Sequence, residues 1–286
     1  LSNLGQSPNV GAALIVSLGC EGTDHERLVE EIRATGKPVE IIRIQELGGT
    51  SRAIQAGIDA AQHLVQQISG LQRETVDISN VVMAIKCGAS DTTSGMASNC
   101  VIGYVADKLV DLGATVVFGE TTEFLGGEHI LARRAVGGEN GPVGQKIYEI
   151  VNRMEARAKS IGEDMRGGQP TPGNIAGGLS SIEEKSLGAI VKSGHRPIQG
   201  VLEYTDRVDD QKGLWIKDAP GREPEILTGM AATGAQLMLF STGRGAPQGF
   251  PSMPVVKICG NPNTFERMQH DMDLNAGRII TREKTI

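Results

Sequence analysis

Aromatic residues are scarce in this sequence. Phe, Tyr and Trp together make up 3% of the 286 residues, so the core has to be built from Val, Ile, Leu, Ala and Met. That shortage argues against an aromatic-rich β sandwich and against a module that binds nucleic acid by stacking bases. Cysteines number four, and no Cys-x-x-Cys pair occurs, which removes the usual zinc-ribbon and thioredoxin-like readings. No apolar run exceeds strand length, so no membrane span is expected. Nor is there a long Lys/Arg run: with a net charge of −6, neither nucleic acid nor an anionic membrane is an expected partner. Gly-x-Gly-x-x-Gly, Walker A, Gly-x-Ser-x-Gly and His-Glu-x-x-His patterns are all missing, which weakens the dinucleotide, NTPase, serine-hydrolase and zincin classes. With no secretion signal visible, the cysteines read as free thiols in a cytoplasmic protein.

What is present is strand alternating with helix. Strands are expected at residues 11–19, 39–44, 81–85 and 114–118, with helices at 25–35, 50–68, 97–112, 123–135 and 142–161. Asp24 is placed to cap the first helix, and Thr50 or Ser51 the second. Ala53, Ile54, Ile58, Ala61 and Leu64 form one face of that second helix. A Gly/Pro/Asn-rich stretch over 166–178 reads as a long loop. Ser181 then caps a further helix, followed by strands at 200–204, 213–216, 236–240 and 255–259. This spacing predicts an α/β fold of mainly parallel, doubly wound sheets in two Rossmann-like layer domains, residues 1–165 and 166–286.

Ligands of parallel α/β sheets bind beyond the carboxyl ends of the strands. Those ends deliver Cys20 and Glu21, then Cys87, Ser90 and Asp91, then Glu120 with His129 shortly after. Thiolate, carboxylate and imidazole together suit a borderline divalent ion such as Fe²⁺ or Zn²⁺. The glycine-rich loops around Gly173 and Asn174 and around Thr242 and Arg244 offer backbone N–H groups for an anion, and Arg244 suits a carboxylate. Each has a plainer alternative: a strand-end cysteine as small core filler, a glycine loop as ordinary turn chemistry.

Taken together, several segments resemble the altronate and galactarate dehydratase family, which includes the large subunit of (2R)-sulfolactate sulfo-lyase. They are Gly19-Cys20-Glu21, the run from Cys87 to Gly95, Glu120-Thr121-Thr122-Glu123 leading to Gly127-Glu128-His129, and Pro172-Gly173-Asn174 through Gly188. Ser241-Thr242-Gly243-Arg244-Gly245 and the run from Asp271 to Gly277 complete the set. A Gly-Tyr-x-Arg-x-Asp-Gly-type opening motif usual in the family has no counterpart here, and the chain is expected to be a piece of a longer protein. The resemblance implies a metal-assisted hydro-lyase that removes water from a sugar acid, giving a 2-keto-3-deoxy acid, with Fe²⁺ as the expected cofactor. Cys20, Cys87 and Glu120 are then expected at the metal, with His129 an alternative ligand. His129, Lys185 and Glu184 are expected in catalysis, Lys185 or His129 as the base. Ser90, Asp91, Gly173, Asn174, Thr242 and Arg244 are expected to hold the substrate. Expected partners are the small sugar acid and either a second copy of the chain or a small subunit carrying an N-terminal domain. A sulfo-lyase subunit and a non-catalytic assembly subunit are the alternative readings.

Overall fold

Strand and helix alternate along the chain in a computed structural model that describes residues 1–286. After a short helical turn at Ser2–Gly5 come β1 (Ala13–Ser17), α1 (His25–Arg33), β2 (Val39–Arg43) and α2 (Thr50–Ile68). β1 and β2 pair in parallel as a two-stranded sheet of their own. Asp24 caps α1 as expected, accepting from the Arg27 amide at 3.0 Å. The cap of α2 is Gly49 rather than Thr50 or Ser51; its φ of 117° is a conformation that glycine tolerates and other residues resist. Ala53 and Leu64 of the expected apolar face are buried, whereas Ile54 and Ile58 are 58% and 47% exposed. A sheet of only two strands leaves that broad face partly uncovered.

A second sheet carries seven strands: β3 (Val82–Gly88), β4 (Thr115–Phe118), β5 (Ile198–Leu202), β6 (Gly213–Lys217), β7 (Leu237–Thr242), β8 (Val255–Cys259) and β9 (Leu274–Asn275). Their spatial order is β5-β6-β4-β3-β7-β8-β9, with every pairing parallel. The boundary expected at residue 165 therefore falls within one continuous sheet. Local patterning places the elements, but strand partners are chosen by contacts remote in sequence.

Helices α3 (Asn99–Asp111), α4 (Glu128–Arg134), α5 (Pro142–Ser160), α6 (Ile182–Ile190) and α7 (Glu223–Ala232) complete the layers. Successive side chains of a strand point to opposite faces. Met83 and Ile85 accordingly pack with Ile102 of α3 and Ile147 and Ile150 of α5, while Ala84 packs with Ile226, Leu227 and Met230 of α7. Each fully buried aliphatic or Phe side chain of this kind contributes about 1.5–3 kcal/mol. The helix expected from residue 123 begins at Glu128, preceded by a 3₁₀ turn over Thr121–Phe124. Within the expected loop, Pro172–Ala176 is a short helical turn closed by a capping box between Thr171 and Asn174. No helix is long and apolar enough to cross a membrane.

Candidate active site

Beyond the ends of β3 and β4 the backbone enters the left-handed region at two residues other than glycine, Ala89 (φ 50°) and Glu120 (φ 71°). Such conformations cost about 1–3 kcal/mol each and gather at functional sites. At Glu120 the surroundings explain the cost. Its Oε1 accepts from Lys86 Nζ at 3.0 Å, and its Oε2 accepts from Lys192 Nζ at 2.8 Å and from the Cys87 amide at 2.9 Å. Lys86, Glu120 and Lys192 are each 0% exposed.

Lys192 comes from the turn that ends α6. Its ammonium reaches Cys87 Sγ at 3.0 Å, Glu120 Oε2 at 2.8 Å and Glu123 Oε2 at 2.9 Å. Cys87 Sγ in turn donates to Glu123 Oε2 at 2.8 Å. Burial and the Glu123 charge push the Cys87 thiol well above its ordinary value, leaving a neutral thiol. Burial opposes ionisation of Glu123 too, but the charges of Lys192 and Lys185 outweigh it and hold that carboxyl below the usual carboxylate range. Burial also works against the charge on Lys192; Cys87, Glu120 and Glu123 around it prevail and raise it well above the ordinary lysine value. On the opposite sheet face Lys86 also meets Glu223 at 3.4 Å.

Cys87, Glu120 and Glu123 can offer three metal-ligand atoms, all within 4.8 Å of one another. Cys20 is not in this group. It is exposed on the turn after β1, its Sγ accepting from Gln45 Nε2 at 3.4 Å. The expectation that Cys20 joins Cys87 fails because β1 belongs to the separate two-stranded sheet. Glu123 stands in the Glu120–Glu123 run noted in the sequence without a role of its own, and Lys86 and Lys192 were given none. A lysine inside the apolar strand 82–88 was the available signal for Lys86; Lys192, near a helix end, carries none.

A cleft of about 600 Å³ opens beside this cluster, between the turn after β3 and α6, and Ser90, Asp91, Ser181, Glu183, Glu184 and Lys185 are among its lining residues. Four of the expected site residues thus share one cleft: Ser90, Asp91, Glu184 and Lys185. Asp91 Oδ1 accepts from Thr93 Oγ1 at 2.5 Å and from the Ser94 amide at 3.1 Å, while Oδ2 accepts from Asn261 Nδ2 at 3.1 Å. Ser181 caps α6 as expected, its hydroxyl accepting from the Glu184 amide at 3.2 Å, and the Glu184 carboxylate accepts from the amide and hydroxyl of Ser180. Lys185 donates to Gln169 Oε1 at 2.9 Å.

Gly173, Asn174 and Arg244 stand behind the cleft wall. Asn174 Nδ2 donates to the Ser90 carbonyl at 2.9 Å, and Arg244 donates to the Gly173 carbonyl. Thr242, buried at the end of β7, accepts from the Gly245 amide at 3.0 Å and so closes its own loop. His129, on α4, does not line the cleft.

Fold and cleft together define a parallel α/β protein with a polar, charged cleft beyond the carboxyl ends of its strands. Comparison with known proteins makes this specific. Residues 78–286 match the model of the D-galactarate/altronate dehydratase C-terminal domain, and residues 1–69 match the D-galactarate dehydratase/altronate hydrolase second domain. The chain belongs to the D-galactarate/altronate dehydratase family. It is similar to (2R)-sulfolactate sulfo-lyase subunit beta of Chromohalobacter salexigens, with 39% identity over 99% of this chain and 72% of the relative. Galactarate dehydratase (L-threo-forming) of Escherichia coli is 35% identical over 100% of the chain and 55% of the relative. Altronate dehydratase of Bacillus subtilis is 34% identical over 98% and 54%. The chain thus spans about half the length of these dehydratases.

Proposed function

We propose that the protein of which this chain is part is a hydro-lyase, eliminating water from a sugar acid of the altronate or galactarate type in the cleft between the β3 turn and α6. The observation that carries this reading is the placement of Lys185, on the α6 segment that bears much of the family resemblance, in the same cleft as Ser90, Asp91 and Ser181. Hydroxyl groups and backbone amides there suit a polyhydroxy ligand.

In this reading Lys185 takes the proton beside the substrate carboxylate. The C–H electrons form the new double bond, and the ammonium so created offsets the charge of the enediolate. The same proton then passes to the departing hydroxyl as the neighbouring C–O bond breaks, and water leaves. Tautomerisation of the enol gives the 2-keto-3-deoxy acid. The hydrogen bond to Gln169 orients Lys185 for this role. Asn174 and Arg244 hold the cleft wall rather than touching the reacting atoms.

Divalent iron, which the family resemblance implies, has its candidate donor set in Cys87, Glu120 and Glu123. That set does not fit a divalent ion, because the Lys192 ammonium already bonds to all three donor groups in a sealed pocket. The elimination proposed here uses only the side chains of the cleft.

A second reading is favoured by the 39% identity to the sulfo-lyase subunit. Elimination from sulfolactate would use the same base, with sulfite departing in place of water. That relative is a subunit, so a paired assembly is proposed for this reading; a homo-oligomer is proposed for the first. Offering the whole protein galactarate, altronate and (2R)-sulfolactate side by side, with 2-keto acid and sulfite both measured, separates the two. Turnover of none of them by a folded, complete assembly would reject both.

A further inference from the structure

We infer that the Lys192 ammonium is the resident cation of the Cys87, Glu120 and Glu123 trio, standing where a divalent metal would otherwise bind. The inference concerns these side chains alone and is independent of the substrate proposed above.

An ammonium carries three donors and no acceptor. Lys192 spends all three within the trio, at 3.0, 2.8 and 2.9 Å. These are hydrogen-bond lengths. A divalent ion such as zinc would draw sulfur and oxygen to roughly 2.0–2.3 Å, so it cannot share the position.

Charge leads to the same conclusion. Lys86 and Lys192 already face the carboxylates of Glu120 and Glu123 inside the sealed cluster, and Lys86 also meets the part-exposed Glu223. Adding a divalent ion with Lys192 in place would set a second cation against an ammonium in a region where Lys86, Lys192 and Glu120 are 0% exposed, where like charges are least screened. Replacing Lys192 by a neutral residue removes that ammonium and leaves Lys86 as the remaining buried cation beside Glu120. A divalent ion would then bind with loss of the Cys87 proton to solvent, a metal–sulfur bond replacing the S–H bond. The trio is therefore a latent metal site that one lysine keeps closed.

Cobalt(II) added to the purified chain tests this through its sulfur-to-metal charge-transfer absorption. Comparing each protein with its Cys87→Ser version separates this thiol from the exposed Cys20. The native chain is expected to show no Cys87-dependent band. Lys192→Met is expected to gain one, with release of a proton, and Lys192→Met/Cys87→Ser to lose it. A Cys87-dependent band in the native chain, or none in folded Lys192→Met, overturns the inference. Should Lys192→Met fail to fold, nitrogen-15 NMR of the native chain decides. The Lys192 ammonium should give a slowly exchanging N–H signal that excess zinc leaves unchanged, and its disappearance on adding zinc overturns the inference.

Discussion

Lys86 and Lys192 grip the same carboxylate from opposite faces of the sheet, Lys86 at 3.0 Å on Oε1 of Glu120 and Lys192 at 2.8 Å on Oε2. Glu120 is consequently a tie between the two layers of the fold. Glu120→Gln leaves two buried ammonium groups short of their partner, and removing one member of a buried ion pair costs about 3–5 kcal/mol. A drop of that size in unfolding free energy, measured by chemical denaturation, is the expected outcome. A loss within about 0.5 kcal/mol, the level of an ordinary surface change, would contradict the tie.

Lys185 stands at the cleft and outside the buried cluster. Lys185→Met is expected to leave the melting temperature nearly unchanged. In the whole protein it should lower kcat by about 10²–10⁴, the usual contribution of a general base. A variant with normal kcat and only a raised KM would reassign Lys185 to substrate binding.

Gly243 faces Asp91 so closely that a Cβ there would lie 1.9 Å from Asp91 Oδ1. Gly243→Ala must therefore push the Asp91 carboxylate off Thr93, Ser94 and Asn261. Destabilisation of about 1–3 kcal/mol is expected. Gly249→Ala, which meets nothing within 4 Å, should have little effect on the same denaturation curve and serves as the control.

Lys217 is buried with a carbonyl partner, that of Asp206 at 2.8 Å, and burial lowers its pKa from 10.5 to about 8. Between those two values the unfolded chain holds a proton that the folded chain has released. Stability therefore rises as pH goes from about 8 towards 10.5, and this contribution is lost as pH falls back through 8, with a slope of at most about 1.4 kcal/mol per pH unit. The difference in unfolding free energy between the native chain and Lys217→Met should grow over that window. A constant difference would refute the assignment.

The cysteines should also separate by reactivity. Cys20 is exposed, whereas Cys87 is sealed and held as a thiol. Iodoacetamide is expected to label Cys20 in the native state and Cys87 only after unfolding, as peptide mass mapping would show.

The sequence displayed the parallel α/β plan clearly, because alternation of apolar runs and capped helices is a local signal. Ser90, Asp91, Glu184 and Lys185 were legible as a group through resemblance, and the structure places them around one cleft. The ion cluster was only half visible. Cys87 and Glu120 stand at strand ends, where attention naturally falls, but Lys192 lies more than seventy residues from Glu120 and looks like any helix-end lysine. Cys20 misled for the same reason in reverse: it ends a strand, yet that strand belongs to the other sheet. Pairing partners are set by the whole chain's packing, which no short window records.

Because Lys86 and Cys87 are neighbours on β3, they point to opposite sides of it. A slip of one residue between β3 and β4 would exchange their sides, setting an ammonium among the hydrophobic residues of α3 and α5 and taking the thiol away from Glu123. Such a slip would misplace Ile85 and Ala84 at the same moment. Insertions or deletions in this strand would thus be rejected by folding before any loss of chemistry could be felt, so the cluster inherits its spatial accuracy from the strand register itself.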